Sequence, residues 1–219
     1  MNEPSRDATG EPGDGVFESL AGAAILDDPS LGVLQRVLLT TDGTVVRLLE
    51  GCFGERIRTA GLVQFSTPAS AADAALEPAG DETILRRKVL LQGSRSGRNY
   101  LYADSFTVLD RVEPSLREAL LSTSEPIGRL FVTNRVETFR EILRVGRRRA
   151  GALGGWLGLE FGDELLFRNY RIISGGRPIM AVAEYFPPLH ILGPGDGHPE
   201  QSVDLDRESG DVTESQRRR

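Results

Sequence analysis

The chain has 219 residues, 39% hydrophobic and 26% charged, which suits one soluble globular domain with a sizeable core. The formal net charge of −6 is carried by the ends: residues 1–30 hold seven acids and one Arg, residues 193–219 hold seven acids and four Arg, and 31–192 holds 21 basic and 18 acidic residues. That mildly basic body is compatible with a small anionic ligand and too weakly charged to argue for nucleic acid.

In chain order, residues 1–30 are rich in Gly, Pro, Asp and Glu and read as a disordered acidic tail. "SLGVLQRVLLTT" (30–41) places Leu31, Leu34, Val37 and Leu38 at helical spacing. After the turn "DGT", "VVRLLEGCF" reads as a helix and "ERIRTAGLVQF" as a strand. Low-complexity residues 66–80 predict a loop, with one helical turn at 70–76. "ILRRKVLLQG" (84–93) and "NYLYADSFTVL" (99–109) are strands around the turn "SRSGR". "EPSLREALLST" (113–123) is a helix with Pro114 at its start and Leu116, Leu120 and Leu121 on one side. "IGRLFVT" predicts a short strand. "NRVETFREILRVGRRR" predicts a helix, capped by Asn134 with Glu137 three residues on and striped by Val136, Phe139, Ile142 and Leu143. "GALGGWLG" reads as a turn in which Trp156 covers the core edge; like "GRLFVTN", it lacks the strand and helix context of a phosphate loop.

"ELLFRNYRII" and "PIMAVAEYF" close the body as a hairpin about Gly175-Gly176, because glycine takes positive φ at both central positions without steric cost. Regular pairing then sets Ser174 opposite Arg177, Ile173 opposite Pro178, Arg171 opposite Met180 and Glu184 opposite Phe167, with Asn169 on the diagonal. Met180, Val182, Glu184 and Phe186 share one face, which leaves a carboxylate in an apolar row. Residues 193–219 repeat the tail composition. This succession predicts an α+β domain over 31–192, an antiparallel sheet with helices packed on one face.

No apolar run approaches the roughly 20 residues of a membrane helix, and the N-terminus lacks the order of a secretory signal, so a cytoplasmic protein is expected. Cys52, the single cysteine, excludes an intrachain disulfide and a multi-thiolate metal site, and reads as a buried thiol or bystander. His190 and His198 lie near or inside the C-terminal tail, poor material for a metal site or a catalytic triad.

Three basic features compete for a role. "RRR" at 147–149 reads as a solvated helix end, and "SRSGR" as an exposed turn. In "LRRKV" two arginines stand inside a strand and point to opposite faces. Arg87 shares its face with Leu85, Val89 and Leu91, and an inward Arg needs an anion, either Glu184 or a ligand carboxylate.

The run "RRKVLLQGSRSGRNYLYADSFTVLDRVEPSLREALLSTSEPIGRLFVTNRVETFREI" followed by "RNYRIISGGRPIMAVAEYF" resembles the chorismate pyruvate-lyase family, in its archaeal and actinobacterial branch. The likeness spans roughly 33–187 and is most specific in "EPIGRLF", "YRIISGGRPIM" and "AEYF"; "DGTVVRLLE" resembles the N-terminal element. The resemblance implies a carbon–oxygen lyase that converts chorismate to 4-hydroxybenzoate and pyruvate without metal or organic cofactor. Its partner is a small-molecule substrate, with no nucleic acid and no membrane. It also implies Arg87 as the clamp on the ring carboxylate and Glu184 near the ring hydroxyl. Ile127, with Gly128, supplies main-chain contacts, and Thr44 sits on a loop that closes over the ligand. Ser105 stands where proteobacterial members carry a second Arg, and Arg129 or Arg171 is the candidate replacement. The alternatives are a non-catalytic binding domain of the same fold for an aromatic acid, and a lyase for a related chorismate-derived substrate.

Overall fold

The computed structural model describes residues 23–69 and 74–188. The tails outside those bounds, both histidines and the first part of the 70–76 turn lie outside the described residues; Ala74–Leu76 is a short 3-10 turn.

Six strands, β1 (Ile57–Thr67), β2 (Ile84–Gly93), β3 (Asn99–Val108), β4 (Phe139–Arg149), β5 (Glu164–Ser174) and β6 (Arg177–Phe186), form one antiparallel sheet in the order β1-β2-β3-β6-β5-β4. Each half is a meander of three strands, and the halves meet at the β3–β6 pair. The helices are α1 (Ala23–Leu26), α2 (Val33–Thr40), α3 (Val45–Phe53), α4 (Pro114–Ser122), α5 (Ile127–Thr133) and α6 (Gly154–Leu157). On one face, α1–α3 bury Leu38, Leu39 and Leu49 completely against Val89, Leu101 and Phe186. Beside them, α4 and α5 pack Leu116, Leu120 and Phe131 on Tyr170, Met180 and Val182. Each fully buried leucine contributes about 1.5–3 kcal/mol. Among the described residues, the other face carries α6 and the short turn before it, with Leu157 and Trp156 over Tyr102, Ala183 and Tyr185, and the Leu76 turn. β6 is therefore buried on both sides from Ile179 to Phe186.

Several expectations are corrected. "IGRLFVT" is the helix α5, not a strand, and 139–149 is the strand β4, not a helix. Asn134 is the C-cap of α5, its amide donating to Leu130 O at 2.8 Å, rather than an N-cap. Phe139, expected in a buried stripe, is 60% exposed, and Arg147–Arg149 end an edge strand. The local helix pattern loses because β4 pairs along β5 and satisfies its backbone there.

The N-terminal boundary at residue 30 is also too late. Within 23–30, Ile25 and Leu26 pack against the core, Arg36 donates to the carbonyls of Leu26 and Asp28, and Asp28 pairs with Arg147 at 2.9 Å. Leu121 and Val37 are exposed, and so is Cys52.

The hairpin turn forms as expected, with Gly175 and Gly176 at φ 56° and 76°. Past it the register slips. A bulge between Ile172 and Ile173 pairs Ile172 with Met180, so Glu184 faces Arg168 rather than Phe167.

Candidate functional site

A cavity opens between the helical face of the sheet and the starts of α3 and α5. Its walls are Gly43–Val46, Pro126–Gly128, Arg140, Tyr170 and Ile172, and its floor is Val89, Leu91, Leu101, Ala103, Ser105, Val182 and Glu184. Two rows of paired residues cross the floor. One runs Arg87–Ser105–Val182–Tyr170, the next Val89–Ala103–Glu184–Arg168. Between Arg87 on β2 and Glu184 on β6, β3 offers only the small Ser105 and Ala103. At about 4.8 Å per strand the two charged positions lie about 10 Å apart across the sheet.

Arg87 points inward and is 1% exposed, whereas Arg86 lies on the opposite face in a fork to Asp104 at 2.8 and 3.2 Å. Arg87 does not contact Glu184. Its guanidinium donates to three carbonyls, Glu125 O at 2.8 Å, Thr123 O at 3.4 Å and Leu120 O at 3.5 Å, and its Nε has no partner among the described residues. Burial alone lowers its pKa to about 10, since no carboxylate among the described residues answers the charge. Arg87 sits one position behind the cavity wall, because its strand neighbour Ser105 and Pro126, next to its acceptor Glu125, both line it.

Glu184, 6% exposed, takes Arg168 Nε on Oε2 at 2.6 Å and the Tyr170 hydroxyl on Oε1 at 3.0 Å. Arg168 is wholly buried and also donates to Leu38 O at 2.8 Å and Thr41 O at 2.7 Å, which ties the end of α2 and the loop before Thr44 to the sheet. Burial, the largest single influence, opposes the charged form of Arg168, but the charges and hydrogen bonds of Glu184 and Tyr170 together outweigh it and the net direction is up. Burial, then the same carboxylate, pushes the Tyr170 phenol well up.

Thr44, Ile127 and Gly128 line the cavity. Gly128 and Thr44 are in close approach: a Cβ on Gly128 would come within 2.6 Å of Thr44 Cγ2, so one of the two would have to shift. Arg129 does not line the cavity, because Glu50 at 2.6 Å and Glu125 at 2.9 Å hold it. Arg171 is likewise outside the lining and taken by Glu141 at 2.6 Å. Arg140, Arg168 and Tyr170 were missed. Arg140 was hidden by the helical reading of its segment. Arg168 alternates with Leu166 and Tyr170 on a strand, the signal that singled out Arg87, and only the bulge brings it to Glu184.

The fold and site define an α+β domain built on one antiparallel sheet, with a charged cavity over its central seam. The chain belongs to the chorismate pyruvate-lyase family: the family model "Chorismate pyruvate-lyase Rv2949c-like" matches residues 39–192. It is 32% identical over 156 residues to the chorismate pyruvate-lyase of Mycobacterium leprae (strain TN), covering 69% of this chain and 72% of the relative. It is 30% identical over 158 residues to that of Mycobacterium tuberculosis (strain CDC 1551 / Oshkosh), covering 69% and 78%. The effector domain of PhnF from Mycobacterium smegmatis shares the fold, with a TM-score of 0.52 at 12% identity over 68% of this chain and 90% of that one. No helix among the described residues is long and apolar enough to cross a membrane.

Proposed function

We propose that this chain converts chorismate into 4-hydroxybenzoate and pyruvate. The observation that carries the reading is Arg87, a buried cation without a carboxylate partner among the described residues, set across a floor of small residues from Glu184. A buried guanidinium left to carbonyls alone is costly, and a planar carboxylate satisfies it in two bonds. The ring carboxylate would replace the two long contacts to Thr123 and Leu120. Ile127 and Gly128 line its approach, and Thr44 packs on Gly128.

At the other side of the ring the C4 hydroxyl donates to Glu184, whose orientation is set by Arg168 and Tyr170. The C3–O bond breaks, the C4 hydrogen is lost as a proton, and the leaving enolpyruvate gains one proton at its methylene carbon to become pyruvate. The ring pair left behind completes the aromatic system, so atoms and charge balance without an oxidant. Aromatisation drives the step, and the site's work is to hold the ring and its hydroxyl in place. The reading draws on no metal or organic cofactor.

The test is turnover of chorismate by the purified full chain, followed by the ultraviolet absorption of 4-hydroxybenzoate. Wild type is expected to turn over. Arg87→Met should lose about 2–5 kcal/mol in kcat/KM, the range for removing one partner of a buried charged contact. Arg86→Ala, on the far face, should lose far less. Binding of 4-hydroxybenzoate without turnover of chorismate would mean a binding domain rather than a lyase, and equal losses in the two variants would reject Arg87 as the clamp.

A further inference from the structure

We propose that Arg140 receives the second carboxylate of the substrate, the one on the enolpyruvyl group; this deepens the lyase reading and rests on it. Chorismate is a dianion, and one buried cation answers only half of its charge. The other arginines around the cavity are neutralised: Arg168 by Glu184, Arg129 by Glu50 and Glu125, Arg171 by Glu141. Ser105, on the floor, is uncharged and spends its hydroxyl on Arg87 O at 3.1 Å. Arg140 lines the cavity and forms no ion pair among the described residues. Its guanidinium donates to Asp42 O at 2.8 Å and lies 6.0 Å from the centre of the Phe131 ring.

The side it occupies is the one the substrate requires. The enolpyruvyl ether at C3 neighbours the hydroxyl at C4, so its carboxylate projects on the Glu184 side of the ring, away from the ring carboxylate at C1. Arg140 pairs across β4–β5 with Ile172 and lies on the β5 and β4 side of the floor, whereas Arg87 stands on β2. Its charge also reaches the Tyr170 phenol that donates to Glu184. After the C3–O bond breaks, pyruvate remains at Arg140 and 4-hydroxybenzoate at Arg87, so the two products are held by different cations.

Arg140→Gln and Arg140→Lys, with melting curves to confirm folding, separate the two carboxylates. For Arg140→Gln the KM for chorismate should rise about ten- to a hundredfold, the scale of a charge-assisted hydrogen bond, with Arg140→Lys in between. Calorimetric affinity for 4-hydroxybenzoate, which lacks the second carboxylate, should stay within about twofold, while Arg87→Met weakens both compounds. An unchanged KM in Arg140→Gln, or an equal loss of 4-hydroxybenzoate binding, overturns the assignment. If wild type binds chorismate without turning it over, the lyase reading fails, and calorimetry with chorismate on Arg140→Gln still decides Arg140. If wild type binds neither compound, both readings fall.

Discussion

Glu184 carries two duties that one substitution separates. Its carboxylate compensates the buried Arg168 and is the proposed acceptor for the ring hydroxyl. Glu184→Gln should therefore lose at least about tenfold in kcat, near the lower edge of acid–base effects. Its melting temperature should also fall, because Arg168 stays buried with its counter-charge gone, a loss of about 3–5 kcal/mol. Adding Arg168→Met removes the stranded cation and should restore part of the stability while turnover stays low. Unchanged turnover in Glu184→Gln would reduce Glu184 to scaffolding for Arg168. From sequence alone, the carboxylate in an apolar row was legible but its partner was not. Arg87 was the evident candidate, and the bulge at Ile172/Ile173 gave the place to Arg168.

Among the elements, the β2–β3 turn shows how a buried carboxylate holds a hairpin in register. Glu55, 8% exposed, accepts from Ser96 Oγ at 2.6 Å, Ser96 N at 3.0 Å, Arg95 N at 2.9 Å and the Tyr100 hydroxyl at 2.8 Å. Burial works against its charged form, but these donors outweigh it and lower the carboxyl from 4.5 to about 2. A carboxyl depressed in the folded state stabilises above its unfolded pKa and loses that contribution as pH falls through the folded one. The stabilisation, up to about 3 kcal/mol, is complete near neutrality and fades between 4.5 and about 2. In urea unfolding at pH 7, Glu55→Gln should be less stable than wild type by about 1–3 kcal/mol, and the gap should shrink at pH 3. A gap of the same size at both pH values would show that the ionised carboxylate is not what holds the turn.

For the molecule as a whole, the site depends on joining two three-stranded halves at β3–β6 and closing them with helices from before β1 and from between β3 and β4. The N-terminal cover begins earlier than composition suggests, since Ile25, Leu26 and Asp28 all engage the body. We expect a chain begun at residue 23 to melt with the full-length protein. One begun at residue 31 should melt several degrees lower, since it loses two apolar contacts and the Arg147 pair. Equal melting of both truncated chains would show that α1 contributes nothing.

The sequence by itself determined the α+β class, the strands β1, β2, β3, β5 and β6, and the Gly-Gly turn, because alternation, turn chemistry and glycine's positive φ are local properties. It also placed Arg87 inward by counting faces along one strand. Tertiary structure alone decided the rest. Residues 127–149 carry local signals that contradict their state: β-branched and aromatic residues fold as α5 because Leu130 and Phe131 bury against the sheet, and a capped, striped segment becomes β4 because the open edge of β5 pairs with it. Arg140 enters the cavity only through that exchange. Arg168 meets Glu184 only through a bulge that no spacing reveals, since register belongs to the pair of strands and not to either one.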